Sequence, residues 1–198
     1  MILPPEEDEF TRHIRFPTIT KVREVVKIEG LLKEIETFLC QCIDLDCRHL
    51  FLLACFVLSS WLIDWLPVAP YIAFVGLPQS GKSTALETLQ LICRRGMITS
   101  DISSAALYSA CERLSPTLFI DEAATAGQKQ SLFHLLRSGS SRDGIVFRAG
   151  ESHRTFGAKV LAFRELPDDD ALNTRCIVIP MRETSRTDLQ RPADPKII

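Results

Sequence analysis

The stretch YIAFVGLPQSGKST, residues 71–84, carries the strongest structural signal in this chain. Its first part, Tyr71–Val75, is a short apolar run followed by glycine, as is typical of a buried parallel strand. Its second part, Gly76–Ser83, fits the pattern G-x-x-x-x-G-K-S/T at every fixed position. A helical pattern follows from about Lys82 to Arg95. Because a strand precedes the match and a helix follows it, it predicts a phosphate-binding loop rather than a chance glycine-rich turn.

The loop carries the chemistry that a triphosphate requires. Gly76 and Gly81 permit backbone angles that turn amide groups inward around phosphates, and the helix N-terminus adds partial positive charge. Lys82 is expected to neutralise the β- and γ-phosphates, and the Ser83 hydroxyl to ligate Mg²⁺. The residues predicted to contact the nucleotide are Gly76, Leu77, Pro78, Gln79, Ser80, Gly81, Lys82, Ser83 and Thr84.

A second motif, TLFIDE, spans Thr117 to Glu122. Its apolar run predicts a buried strand that delivers two carboxylates to its C-terminal end, where ligands bind in open parallel sheets. Asp121 is expected to hold the Mg²⁺ shell, and Glu122 to orient and deprotonate the attacking water. The alternative is an acidic pair that caps the next helix. Glu122 favours hydrolysis over phosphoryl transfer to a small acceptor.

The remaining chain alternates strands and helices, which predicts an α/β fold with a mainly parallel five-stranded sheet. Two helices precede the sheet, at about Leu31–Cys42 and from the turn at Asp44–Asp46 to Leu66, the second apolar enough to be central. Three units are expected: 1–66 as an arm and helical pair packed on the core, 67–182 as the core, and 183–198 as a loose tail. The predicted strands are Tyr71–Val75, Met97–Thr99, Thr117–Asp121, Lys159–Phe163 and Cys176–Ile179, with a hairpin at Ile145–Arg148 and Arg154–Phe156.

Composition narrows the function classes. The chain has 198 residues, of which 46% are hydrophobic, so a sizeable core can form. A net charge of −2 gives no global field for nucleic acid, so any DNA contact must be local. Seven cysteines without disulfide-framework spacing and an acidic start without a signal peptide predict a cytoplasmic protein. The apolar run Leu50–Ile63 is too short to cross a membrane.

The residues alone leave open the role of Arg175 and the role of a cluster of three further arginines. Arg175, in the segment LPDDDALNTRCIVIPM, lies between a short helix and a strand. It is placed to reach a neighbouring subunit's phosphate or, equally, to pair with the acidic run Asp168–Asp170. Arg142, Arg148 and Arg154 form the best local basic cluster for a nucleic-acid backbone. Their alternatives are solvated charge on the hairpin or, for Arg142, phosphate sensing.

Taken together, these stretches resemble the core of AAA+-type P-loop ATPases, and more narrowly the ATPase domains of phage and mobile-element primase/helicase-like proteins. The resemblance covers about residues 50–182. It is carried by APYIAFVGLPQSGKST, ISSAALYSACERLSPTLFIDEA, LLRSGSSRDGIVFR and FGAKVLAFRELPDDDALNTRCIVIPMR. No C-terminal helical lid is evident. Where the family carries a polar sensor, at the end of the fourth strand, this chain has Arg164 as the candidate.

The resemblance implies roles for particular residues and partners. Lys82, Ser83, Asp121 and Glu122 would act as described above, and Arg175 would be an arginine finger acting in trans within a homo-oligomer. The hairpin would face a central pore, with Arg148 and Arg154 as candidate contacts to single-stranded or duplex DNA. The expected function is Mg²⁺-dependent ATP binding and hydrolysis, as a helicase-like or loader-like motor in DNA replication or mobilisation of a genetic element. The alternatives are a nucleotide-gated interaction module with little turnover and, less favoured, a P-loop kinase.

Overall fold

The computed structural model describes residues 11–12, 14, 16, 27–99, 103–121, 129–148 and 150–192. Within these residues the chain forms six α-helices and seven β-strands. The helices are α1 (Ile28–Cys42), α2 (Cys47–Trp61), α3 (Lys82–Ile92), α4 (Ser104–Leu114), α5 (Lys129–Ser138) and α6 (Asp170–Asn173). The strands are β1 (Tyr71–Val75), β2 (Gly96–Thr99), β3 (Thr117–Ile120), β4 (Ile145–Arg148), β5 (Glu151–Arg154), β6 (Lys159–Phe163) and β7 (Cys176–Pro180).

Five strands form one parallel sheet in the order β2-β3-β6-β1-β7. β1 lies between β6 and β7, and β6 separates it from β3. All five strands end at the same edge, called here the carboxyl edge, and begin at the opposite amino edge. The α/β fold with a five-stranded sheet is thus confirmed, and the sheet is parallel throughout.

The core lies on both faces of the three inner strands. The side chains of β3 and β6 are buried along their whole length, and in β1 only the last residue, Val75, is partly exposed. This explains why these strands read as continuous apolar runs rather than as alternating patterns. α3 packs Ala85, Leu86 and Leu89 into the same core. The sheet therefore holds the ends of β1, β3 and β6 in fixed relative positions.

The N-terminal helical pair is present, and α1 packs against α2. The Asp46 carboxylate caps α2 by accepting from the His49 amide at 2.9 Å. α2 is not central, contrary to expectation: one side is buried, whereas Phe51, Leu52 and Trp61 are exposed. α2 thus lies in an outer layer, where only part of its surface is packed. Its apolar sequence alone did not determine whether it lies at the centre of the fold. Of the helices the structure describes, none combines the length and apolarity needed to span a membrane.

α2 also ends earlier than predicted. The α-helix stops at Trp61 and a 3₁₀ turn, Ile63–Trp65, follows. The Leu62 amide is shared between the carbonyls of Leu58 and Ser59, at 3.2 and 3.1 Å. This sharing tightens the last turn, as often happens at helix ends.

α3 ends at Ile92 rather than at about Arg95, and Gly96 is the first residue of β2. A Cβ atom on Gly96 would lie 2.3 Å from the Gln90 carbonyl oxygen. Glycine is therefore required here for close approach of two backbone segments.

The hairpin is confirmed, with a shifted second strand. β5 covers Glu151–Arg154, whereas the sequence predicted Arg154–Phe156. Arg148 pairs with Glu151, so the connection is a two-residue turn in which Gly150 has φ +86°. A turn this short requires a left-handed residue, and glycine meets that need.

The segment after β7 is bonded to α1, although a loose tail was expected. The Thr184 hydroxyl donates to the Asp44 carboxylate at 2.5 Å, and the Arg186 guanidinium donates to the Cys40 carbonyl at 3.1 Å. The Gln190 amide donates to the Gln41 carbonyl at 2.8 Å. The tail is thus bonded to α1 and to the turn that follows it as far as Gln190. Residues 193–198 and 17–26 lie outside the described residues.

Candidate nucleotide site at the carboxyl edge

The phosphate loop leaves the carboxyl edge of the sheet at the end of β1 and enters α3. Gln79 and Gly81 have positive φ angles, of 68° and 85°. Such left-handed residues interrupt the extended chain and turn successive amides toward one side. α3 begins without a side-chain cap, so its first amides have no acceptor within the helix. This is the arrangement that binds anions at helix N-termini.

Gly76 is held in a position that no other residue can occupy. A Cβ atom there would lie 2.4 Å from the Met181 carbonyl oxygen and 2.7 Å from the Ser80 hydroxyl. The Gly76 amide donates to the Phe163 carbonyl at 3.1 Å, and the Met181 amide donates to the Val75 carbonyl at 2.7 Å. Both neighbouring strands therefore brace the start of the loop. Met181 was not among the predicted site residues, and only its place directly after the last strand signals this contact.

Lys82 lies across the loop it belongs to. Its ammonium donates to the carbonyls of Gly76 and Leu77 at 2.7 and 2.8 Å, and to the Ser80 hydroxyl at 3.3 Å. The ammonium therefore lies at the loop itself, in contact with its first, second and fifth residues. The turned amides, the uncapped helix and this ammonium form a donor set that fits a polyphosphate.

Ser83 and Asp121 are the two predicted metal ligands. Ser83 is exposed in the first turn of α3, and Asp121 directly follows β3. Its amide donates to the Thr99 carbonyl at 3.0 Å, which extends the β2–β3 ladder to the carboxyl edge. β6 alone separates β3, which leads to Asp121, from β1, which leads into the loop and α3, so β1 and β3 are about 10 Å apart. A serine hydroxyl and a carboxylate supply the oxygen ligands that Mg²⁺ prefers. Glu122 lies outside the described residues.

Arg164, the candidate sensor, follows β6 directly and is exposed. Phe163 pairs with Val75, so Arg164 is level with Gly76 at the carboxyl edge. The structure therefore brings Arg164 beside the phosphate loop.

Arg142 is not brought to the loop. Its guanidinium donates to the carbonyls of Leu66 (2.9 and 2.7 Å) and Ile63 (2.7 Å), and stacks 4.8 Å from the centre of the Phe156 ring. These partners precede β1 and β6, so Arg142 lies at the amino edge. The predicted sensing role has no support in this placement. Arg142 instead donates to the Leu66 carbonyl, and it adds a second donor to the Ile63 carbonyl, which also accepts from the Leu66 amide at 3.2 Å.

Arg175 also lies at the amino edge, directly before β7 and away from its own phosphate loop. Its guanidinium donates to the Ser140 hydroxyl at 3.1 Å and to the Ala171 carbonyl. It does not pair with the acidic run, because Asp169 accepts from Arg137 and caps α6. The Arg137 hydrogen bond holds the pKa of Asp169 below its usual value. Arg175 itself remains exposed.

The hairpin presents one face to solvent. Strand alternation places Ile145 and Phe147 on the same face as Ser152 and Arg154, and all four are exposed. Phe147 is 76% exposed, which is unusual for an aromatic side chain. Sequence analysis selected the arginines and missed Phe147. Arg148 is the last residue of β4.

The other face of the hairpin packs on α4 through His153. Its ring stacks on Tyr108 with 5.1 Å between centroids, and its Nδ1 atom lies 3.2 Å from the Glu112 carboxylate. The hairpin is therefore fixed against the helix that leads into β3.

Lys159, the first residue of β6, is a buried cation that the site predictions did not include. Its ammonium donates to the carbonyls of Thr155 and Gly157, both at 2.9 Å, and of Gly139 at 3.5 Å. Burial lowers its pKa to about 8, because the charged form loses its hydration. Lys159 joins the exit of the hairpin to the amino edge and is structural.

Comparison with known proteins supports the fold. No family model matches the chain, and no curated protein matches it in sequence. Among solved structures it is similar to the JCV helicase, with a TM-score of 0.50, 17% identity and 81% of this chain covered, in a complex with an acetamide compound. Two further JCV helicase structures, one inhibitor-bound, give 16% identity and the same TM-score. The chain spans about half the length of these solved chains. The likeness shows that this chain shares its α/β fold with part of the JCV helicase.

Proposed function

We propose that this chain binds and hydrolyses ATP with Mg²⁺. The observation that carries the proposal is the braced loop at the end of β1, whose turned amides, uncapped helix and Lys82 ammonium form a polyphosphate site. Asp121 lies at the same edge of the sheet, on the side of β6 and β3. The two motifs are far apart in sequence, and the strand order places both at this edge.

In this proposal each residue has one task. Lys82 exchanges its loop carbonyls for β- and γ-phosphate oxygens, and the glycine loop supplies amides to the phosphates. Ser83 and Asp121 hold Mg²⁺, which neutralises developing charge on the phosphates. Glu122 orients and deprotonates the attacking water. Arg164, level with the start of the loop, is the proposed sensor of the terminal phosphate.

The proposed biological role is that of a helicase-like or loader-like motor in replication or mobilisation of a genetic element. The exposed hairpin face supports a nucleic-acid contact, because an aromatic ring and a guanidinium together can stack a base and bind a phosphate. We further propose that the chain forms a homo-oligomer in which Arg175 reaches the neighbour's triphosphate. Its exposure at the edge opposite its own loop supports action in trans.

Two variants with different defects test the ATPase proposal. Lys82→Ala should weaken ATP binding by about 100-fold, since it removes a charge-assisted contact to the phosphates. Glu122→Gln should keep ATP affinity and lose turnover, because its partner is the water. Calorimetry and a steady-state ATPase assay measure the two effects, and Lys33→Ala, an exposed lysine on α1, is the matched control.

Unchanged affinity in Lys82→Ala would reject the phosphate-loop assignment. Parental turnover in Glu122→Gln would make that carboxylate structural. Tight binding without turnover in the parent chain would favour a nucleotide-gated interaction module over a motor.

A further inference from the structure

Arg182, to which the sequence analysis assigns no role, lies beside the phosphate loop on the β7 side. Pro180, the last residue of β7, pairs with Val75, the last residue of β1. Met181 is therefore level with Gly76, and Arg182 follows one residue further along the carboxyl edge. Arg182 is exposed, and within the described part of the chain its guanidinium makes no hydrogen bond or ion pair. Its charge is thus available to a ligand.

The backbone that carries Arg182 is pressed against the loop. The Met181 carbonyl oxygen lies 2.4 Å from where a Cβ atom on Gly76 would stand, and the Met181 Cε atom lies 3.8 Å from the equivalent point on Gly81. Consecutive Cα atoms are about 3.8 Å apart, so Arg182 begins one such step from a residue that touches both fixed glycines. This proximity is a consequence of strand register and does not depend on the rotamer of Arg182.

The strand order indicates which end of the phosphate chain lies near Arg182. Asp121 follows β3, on the β6 side of the loop, whereas β7 lies on the opposite side of β1. In the proposed site Ser83 and Asp121 would hold Mg²⁺, and such an ion would neutralise charge at the β- and γ-phosphate end of the chain. The γ-phosphate therefore belongs to the β6 side, next to Arg164, and the α-phosphate to the β7 side.

We propose that Arg182 binds the α-phosphate of the nucleotide in cis. This inference rests on the proposed nucleotide site and adds a specificity: Arg182 recognises the nucleoside end of the polyphosphate. A guanidinium offers paired donors that match two phosphate oxygens, which a single amide of the loop cannot do. Arg164 and Arg182 then bracket the loop from its two neighbouring strands.

The test compares ligands that differ at each end of the phosphate chain. Binding of ATP, ADP and pyrophosphate to Arg182→Ala is measured by calorimetry in the full chain with Mg²⁺. ATP and ADP should both weaken about tenfold, because both carry the α-phosphate and the contact is solvent-exposed. Pyrophosphate, which occupies the metal-bound positions, should bind as it does to the parent chain. Arg182→Lys should recover part of the loss.

Arg191→Ala is the matched control, since Arg191 is an exposed arginine on the same tail, beyond the residues bonded to α1. It should bind all three ligands normally. If Arg182→Ala weakens ATP but not ADP, the arginine acts on the γ-phosphate and the proposal is wrong. If it changes neither, or weakens pyrophosphate equally, the α-phosphate contact is also excluded.

Failure of the proposed function would look different. In that case the parent chain would not bind ATP, or Lys82→Ala would bind it normally. A parent chain that binds ATP through Lys82, together with an Arg182→Ala variant of parental affinity, would overturn only the present inference. Circular dichroism on each variant verifies that the fold is retained.

Discussion

At the amino edge of the sheet, cationic side chains are bonded to the chain itself, whereas at the carboxyl edge they are exposed around the loop. Arg142, Arg175 and Lys159 at the amino edge donate to backbone carbonyls, and Arg175 also to the Ser140 hydroxyl. Arg164 and Arg182 at the carboxyl edge have no such partners within the described residues. Lys82 is bonded, but only to the loop that would hold its ligand. The same residue types therefore act as scaffold on one edge and remain available to an anion on the other.

Parallel strands explain this difference. Every strand presents its carboxyl end at one edge, and the loops that leave it are free to form a crevice for ligands. At the amino edge the incoming loops must close over the core, so their carbonyls need donors. Long cations supply some of these donors, alone or beside a backbone amide.

The largest expected effect concerns Arg175, an amino-edge cation that is exposed although its guanidinium is bonded. Arg175→Ala should reduce ATP turnover by about 10³-fold with little change in ATP affinity, because an arginine finger acts on the transition state. Arg175→Lys should recover little, since an ammonium lacks the guanidinium's fork. Mixing Arg175→Ala with Lys82→Ala should restore activity, because mixed interfaces pair an intact loop with an intact finger.

If mixed oligomers form without any recovery, or if an active monomer is found, Arg175 does not act in trans. Arg175 would then have a structural role only, like Arg142 and Lys159 at the same edge.

An intermediate effect concerns Lys159 and the pH dependence of stability. Its pKa is about 8 in the folded chain, below its ordinary value of 10.5. Between these values the unfolded chain holds a proton that the folded chain has released, so this group makes the free energy of unfolding rise with pH. From pH 7.5 to pH 10 its contribution is about 2 kcal/mol. Well below pH 8 Lys159 is charged in the folded chain, and the full cost of burying that charge lowers the free energy of unfolding.

Lys159→Met is the matched variant, because it keeps most of the side-chain volume and cannot titrate. Denaturant unfolding of both proteins at the two pH values gives the difference. The comparison is needed because burial raises the pKa of Cys93 to about 12 and of Cys176 to about 11, and these thiols lower stability above pH 9. Parallel pH profiles in the two proteins would show that Lys159 keeps an ordinary pKa.

The smallest expected effect concerns the hairpin, where Arg154 is an exposed cation at the end of β5. Arg148→Ala with Arg154→Ala should make the logarithm of DNA affinity depend less steeply on salt, with the slope reduced by about 1 to 2, since each phosphate contact releases counterions. Fluorescence anisotropy with single-stranded and duplex DNA measures it. Arg48→Ala, an exposed arginine on α2, is the control. An unchanged slope would place any DNA contact elsewhere.

The phosphate loop at the carboxyl edge could be predicted from the sequence, because the residues that identify it lie close together in the chain. Gly76, Gly81, Lys82 and Ser83 stand at fixed spacing between a strand and a helix, and the requirements for turning amides inward extend over only eight residues. The buried strands were equally readable, because strands covered on both faces are apolar at every position. The register that places Met181 against Gly76 was not readable, since it depends on how two distant strands align.

The sequence by itself determined the α/β fold, the phosphate loop and the strand that carries Asp121, because short-range geometry and burial dictate those residue types. Only the tertiary structure decided which cations are scaffold and which are available. The sequence alone does not distinguish the environment of Arg142 from that of Arg182. One is bonded to the carbonyls of Ile63 and Leu66, and the other is exposed beside the loop. The reason is that the availability of a charge depends on which carbonyls packing brings within reach, and those carbonyls come from segments far away in sequence.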